Sequence, residues 1–364
     1  MNLFTVNWAN TELSGQIGRL RFGSRLEGGF GSAYFTVTGP LDLLRMLLIS
    51  GLRKDFRDVI ITDRQGATVF EGFATTVRFR VGPVSLSHSL VTMANAVAVM
   101  YTRTSDGAQV ITPWQEDADS IAVYGRKEYI ESASGSLTDA LALQLAKTIL
   151  NLRRYPKVEL RLELSGSPGE NVLEVEAVGY WALAQWYYYM STDQSQADSG
   201  TVIWERAQTT GVYTAGTIRT TGVQVPRAQT DRAVTIQDAV MRLAKLGDSN
   251  FDPVFPQVWE NKRFDLLRVQ DLPIIYLDAS TGQTYSAPPA FGTAAPGDLS
   301  PWLVRPGYFD VSSITVYTSA DVGVYSPTRI LISETQYDAV TGRLSLVPAE
   351  ATTLDVVLAR IGVV

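Results

Sequence analysis

The chain has 364 residues, 45% of them hydrophobic, and a formal net charge of −6, which is enough apolar material for real cores and too little charge for disorder. Cysteine is absent and His88 is the single histidine, which excludes disulfides, thiolate zinc sites, iron–sulfur clusters and a His-rich metal centre within one chain. The acidic balance argues against a general nucleic-acid binder, because phosphate contacts draw on a surplus of Lys and Arg.

The opening MNLFTVNWANTELSG has neither the basic start nor the apolar run of a secretory signal. Short runs rich in Val, Ile, Thr, Tyr and Phe are then broken by Gly, Asp and Pro at roughly 8–12-residue intervals, the spacing of barrels and sandwiches. GGFGS at 28–32 lacks the Lys-Ser/Thr of a phosphate loop and reads as a bend before a strand. PLDLLRMLLIS predicts a first helix over 40–50, with Pro40 in the first turn and Gly51 just past the end. It is also the longest apolar stretch, far short of the roughly 18–20 residues of a membrane span. VIITDRQGATVFEG predicts a hairpin that Asp63 opens and Gly66 closes. The same turn chemistry recurs at Asp278/Gly282 and Asp338/Gly342. His88 sits on an alternating strand with no nucleophile or orienting carboxylate nearby, so it reads as structural. Residues 1–113 thus form a first β-rich unit.

WQEDADS at 114–120 reads as a polar joint. Glu116, Asp117 and Asp119 offer oxygen ligands but lack the twelve-residue calcium loop, so an acidic surface is expected there. SLTDALALQLAKTILNLRR predicts a helix over 137–154, with Thr138 as cap and Leu137, Leu141, Leu145 and Ile149 as its stripe. VELRLELSG alternates strictly, with Val158, Leu160, Leu162 and Leu164 against Glu159, Arg161 and Glu163. After the turn SGSPGEN, VLEVEAV places Glu174 and Glu176 on its polar face. Paired with each other, the two runs would gather four carboxylates and one Arg on a hairpin face, which reads as a solvated outer face.

Tyr180, Trp181, Trp186, Tyr187, Tyr188 and Tyr189 fall within ten residues, more than one face of one strand buries. Trp181, Trp186 and Tyr187 are therefore expected at a domain or subunit seam, with a glycan platform as the alternative. Residues 114–190 form the second unit. A peripheral domain over 191–300 carries a helix at 235–246, capped by Thr235 and striped by Ile236, Val240 and Leu243. It ends in the loop SAPPAFGTAAPGDLSP. Residues 301–364 read as a C-terminal β segment completing a barrel. Three isolated helices among many strands predict a mainly β chain without βαβ winding. No G-x-S-x-G elbow occurs, and a glycosidase's paired carboxylates would leave no local mark. No catalytic residue, cofactor or metal is assigned.

DADSIAVYGRKEYIES, the helix ALALQLAKTIL, the strand pair around SGSPGEN and VGYWALAQWYYY together resemble the tail-tip or baseplate hub proteins of tailed phages, the siphophage hub, late-control-D-like family. In that family a Tyr-Gly-Arg-Arg/Lys-Glu stretch opens the second barrel, here Tyr124, Gly125, Arg126, Lys127 and Glu128. ITDRQGATVFEGFATTVRF is similar to the first-barrel hairpin. AVMRLAKLGDSN, VWENKRFDLLRV, SPWLVRPGYF and ISETQYDAVTGRLSLVP follow the family's habit, in order, over about residues 1–350. The resemblance implies two tail-tube-like β-barrels with smaller β or α+β domains, in a structural virion protein assembled in the host cytoplasm. It implies a homotrimer whose paired barrels form a pseudo-sixfold ring. That ring would mate with the hexameric tail tube or a distal tail protein, with a central tip or fibre protein and the tape measure as further neighbours. Double-stranded DNA would pass through it, and Glu159, Glu163, Glu174 and Glu176 would face that lumen. There is no lysozyme-like or peptidase insertion, so no enzymatic activity is expected. A hexameric distal tail protein or glycan-binding tail module is the alternative, and a glycoside hydrolase the third reading.

Overall fold

The computed structural model describes residues 3–162, 171–229, 233–278, 283–285, 305–310 and 329–349, and the chain is mainly β. Its strands of five or more residues begin with β1 (Phe4–Trp8), β2 (Ile17–Arg25), β3 (Gly28–Thr38), β4 (Asp58–Asp63), β5 (Thr68–Val81) and β6 (Val84–Ser89). β7 (Ala96–Arg103), β8 (Glu128–Leu137), β9 (Lys157–Leu162) and β10 (Val172–Gly179) follow. The last are β11 (Thr214–Ile218), β12 (Val254–Trp259), β13 (Arg263–Arg268), β14 (Ile274–Asp278), β15 (Arg329–Asp338) and β16 (Arg343–Pro348). The α-helices are α1 (Leu41–Ser50), α2 (Ala118–Tyr124), α3 (Asp139–Arg153), α4 (Ser199–Gln208) and α5 (Ile236–Ala244).

α1, α3 and α5 lie where their apolar residues predict. Thr138 and Thr235 cap α3 and α5 by accepting from the Leu141 and Asp238 amides. The buried stripe of α3 is Ala142, Ala146 and Leu150 rather than the expected Leu137, Leu141, Leu145 and Ile149, and Leu141 is exposed. The helix lies close on β7, where small side chains fit. α2 arises in the acidic joint and α4 in the peripheral segment, where no helix is expected, and both start at an aspartate. Asp117 accepts from the Ser120 amide and Asp198 from the Gly200 amide. Two of the three expected turns have the expected chemistry. Asp63 accepts from the Gln65 and Ala67 amides, Asp338 from those of Val340 and Thr341, and Gly66 and Gly342 take positive φ. Gly282 of the third lies outside the described residues, as do 286–301 and 350–364.

The main sheet runs β9–β6–β5–β10–β3–β2–β15–β16, with every neighbouring pair antiparallel. β4 pairs with the first half of β5, and β1 pairs with β4. Phe4 of β1 meets Phe22 of β2 and Tyr337 of β15 at ring separations of 5.3 and 5.7 Å, so the sheet curls round its apolar face. α1 seals that core with Leu44 and Leu47, both fully buried, and Trp8 Nε1 donates to the Gly51 carbonyl at 3.2 Å. β12 pairs antiparallel with β13, β11 runs parallel to β13, and β12 touches the start of β3 at Gly28 and Gly29.

Strand pairing crosses the boundaries expected from composition. β10, from the segment 114–190, lies between β5 and β3, and β15, from the C-terminal segment, pairs with β2. The aromatic block and α5 share one core with the main sheet. A smaller unit does stand apart in its packing, with β7, β8 and α3 around Val97, Val99, Tyr101, Ala142 and Ala146. There β8 runs parallel to β7 after a crossover through α2, a βαβ connection in a chain whose isolated helices predict none.

Candidate functional site

The main sheet carries one polar face and one apolar face, because directly opposed residues on neighbouring strands project to the same side. Glu159, Ser87, Arg78, Glu174 and Thr36 lie across from one another on five successive strands. A second row crosses all eight strands, from Lys157 through Ser89, Thr76, Glu176, Tyr34, Arg21 and Asp338 to Arg343.

The expected acidic hairpin does not form. β9 and β10 are separated by β6 and β5, and β5 brings Arg78 and Arg80 between their carboxylates. The reason is non-local: β5 hairpins onto β6 across Gly82 and so takes the place beside β10. Glu163 lies outside the described residues. Among the described residues, this face holds eight cations (Arg19, Arg21, Arg25, Arg78, Arg80, Lys157, Arg161, Arg343) and five carboxylates (Glu159, Glu174, Glu176, Glu334, Asp338).

Most of these charges are matched within the sheet. Glu174 is held by Arg78 and Arg80, each at 3.2 Å, and Asp338 by Arg21 at 2.7 Å. Glu334 faces Arg25 at 3.8 Å. Glu159 lies 2.6 Å from Lys157 and 3.4 Å from Arg161, and the hydrogen bond from Lys157 holds its carboxyl below the usual range. Glu176 is exposed.

On the apolar side, Phe35, Val175 and Val77 are fully buried. The same row continues outward through His88 to Val158. His88 is therefore flanked by valines, and burial lowers its pKa. At the sheet's edge the apolar residues lose their cover: Val158 is 58% exposed, and Leu160 and Leu162 are each 64% exposed.

The aromatic block is not a strand. Tyr180–Gln185 forms a 3₁₀ helix, which turns side chains in several directions and buries them on more than one side. Trp181, 5% exposed, packs on Tyr213 and Phe264, and Trp186, also 5% exposed, packs on Phe73. Tyr187 is half-buried against the same core, and its carbonyl accepts from the Ile236 amide. Trp181 and Trp186 thus meet residues of their own chain and offer no open ring face to a glycan. In the threonine-rich stretch 209–221, Thr221 is similarly engaged, buried and bonded to Ser199 and Asp198.

Trp186 also carries two cations against its ring. The Arg57 guanidinium and the Lys127 ammonium both lie 4.8 Å from its ring. Lys127 Nζ donates to the carbonyls of Leu90 and Val91 at 2.6 and 2.8 Å, and burial pulls its pKa down to about 8. Glu128 donates its amide to the Trp186 carbonyl and accepts from the Tyr188 amide. The Tyr-Gly-Arg-Lys-Glu stretch therefore locks the smaller unit onto the aromatic block, a role its sequence did not reveal. The acidic joint is also structural. Asp117 caps α2 and pairs with Arg154 at 3.0 Å, while Arg126 bridges Glu116 and Glu128 at 2.6 and 2.7 Å.

GGFGS serves as a bend. Gly28 and Gly29 have φ of 107° and 80°, and a Cβ on Gly29 would lie 2.1 Å from the Val258 carbonyl oxygen. Among the described residues, no three His, Asp or Glu side chains gather as a metal site, and no helix is long and apolar enough to cross a membrane.

No protein-family model and no curated protein matches the chain. Among solved structures it is similar to the 43 kDa tail protein of prophage MuSo2 from Shewanella oneidensis, at 7% identity and a TM-score of 0.41. It is also similar to the tail protein from Neisseria meningitidis MC58, at 7% identity and a TM-score of 0.42. Each comparison covers 96% of both chains.

Proposed function

We propose that the chain is a structural, non-enzymatic protein of a phage tail: the hub of the tail tip or baseplate, joining the hexameric tube to the distal tip. The observation that carries this reading is the eight-strand sheet, polar and ion-paired on one face and open at both edges among the described residues. It also accords with the sequence resemblance to tail hubs. Eight alternating strands leave the two end strands, β9 and β16, running in opposite directions. Copies set edge to edge therefore continue the sheet antiparallel and keep the polar face on one side.

Three copies contribute 24 strands. At about 4.8 Å per strand and a tilt of about 40°, their backbone circle is roughly 50 Å across. That is wide enough to pass a DNA duplex. Glu159, Glu174 and Glu176 would then face the lumen, but not as a repulsive acidic coat. Six of the eight cations on this face are already engaged by carboxylates and give phosphates little to hold, because binding must first break the internal pair before counterion release can drive it. Such a wall lets DNA slide. The neighbours in this reading are the tail tube or a distal tail protein, a central tip or fibre protein, and the tape measure.

A low-resolution axial projection of the assembled particle, with this chain located by antibody, tests the proposal. A threefold ring at the end of the tube is the expected result. A sixfold ring would favour a distal tail protein, and polysaccharide cleavage by the purified chain would revive the glycosidase.

A further inference from the structure

β9 is an edge strand whose only ladder among the described residues is with β6. One side of it shows Val158, Leu160 and Leu162, more than half exposed, and the other shows Lys157, Glu159 and Arg161. An open edge of this kind is a template for another strand. Its charge order limits which strand fits. In an antiparallel pairing of β9 with another β9 about Leu160, Glu159 falls opposite Arg161 of the second copy, and Arg161 opposite Glu159. Val158 then meets Leu162, and Leu160 meets itself. Every opposed pair is either opposite in charge or apolar on both sides, the combinations that stabilise cross-strand neighbours.

We infer that a second copy of this chain docks on β9 by antiparallel self-pairing about a twofold axis at Leu160. The contact is isologous, so one patch satisfies itself. It occupies an edge that the ring of the proposed function would use, and so belongs to the free chain before assembly. The inference goes beyond the hub reading, and sedimentation of the purified chain decides it without reference to the virion.

Reversing one charge, by Arg161→Glu or by Glu159→Arg, places like charges opposite each other at two sites of the pair. Either change should weaken self-association of the full-length chain by about tenfold. The double variant E159R/R161E restores both oppositions and should restore the dimer. Neither an unrelated partner strand nor the β16 edge would be rescued in this way. Because the chain has no cysteine, Leu160→Cys introduces a single thiol at an exposed site. Opposed residues in antiparallel strands have Cα atoms about 4.5–5.5 Å apart, within disulfide range, so mild oxidation should yield a covalent dimer. A monomer at tens of micromolar, dimerisation indifferent to the single reversals, or failure of the double variant to restore it would each overturn the inference. A ring absent from the virion would sink the hub reading and leave this result untouched.

Discussion

β10 and β9 show the same alternation of apolar and charged residues, and β9 shows it more strictly. Yet Leu173 and Val175 of β10 are fully buried, whereas Leu160 and Leu162 of β9 stand mostly in solvent. Both strands belong to one sheet, and Leu173 shares a row with Leu160 through Phe79 and Leu86. Position in the sheet separates them. β10 has a strand on either side and the curled core beneath, while β9 lies beyond the edge of that core. Alternation therefore assigns a side chain to a face, and the second layer decides whether that face is dry.

The largest effects should come from the covered side. Trp186→Ala should cost about 3–5 kcal/mol in chemical denaturation and Leu173→Ala about 2–5 kcal/mol, since each leaves a cavity that the surroundings fill only in part. Leu160→Ala, in the same row as Leu173, should change the monomer's stability by no more than about 0.5 kcal/mol. Equal losses at Leu173 and Leu160 would mean that the edge strand is covered within the chain.

A second contrast lies between charges against Trp186 and charges on the face. Lys127 titrates at about 8 when folded, below its ordinary 10.5. Between these values the unfolded chain binds more protons, so stability should rise with pH across that window. Below about pH 8 the burial penalty is present in full. Lys127→Met should flatten this rise in denaturation profiles taken from pH 7.5 to 10.5, and an unchanged slope would show that the ammonium is solvated.

The smallest effect belongs to the sheet's polar face. Glu174→Gln releases Arg78 and Arg80 from their shared carboxylate while leaving the fold intact. Binding to a DNA duplex at low salt should strengthen several-fold, and the gain should vanish as salt rises. Unchanged binding would argue that the ion pairs do not keep the face slippery.

Local chemistry was legible because it acts within a few residues. The caps at Thr138 and Thr235, the Asp-to-Gly turns at 63–66 and 338–342, and the faces of β9 and β10 all follow from neighbours in the chain. α2 and α4 carried the same kind of signal in Asp117 and Asp198, masked by polar composition. Tertiary structure alone decided which strands became neighbours. Nothing in VELRLEL or VLEVEAV says that Val84–Ser89 and Thr68–Val81 will come between them. Strand pairing joins residues far apart in sequence, and a register is fixed only when a whole face finds its core. Hence the sequence determined which residues are charged and which way each points along its strand. The fold determined that arginines stand among the glutamates, that Trp186 is walled in by Arg57 and Lys127, and that, among the described residues, one alternating strand stands without a partner layer.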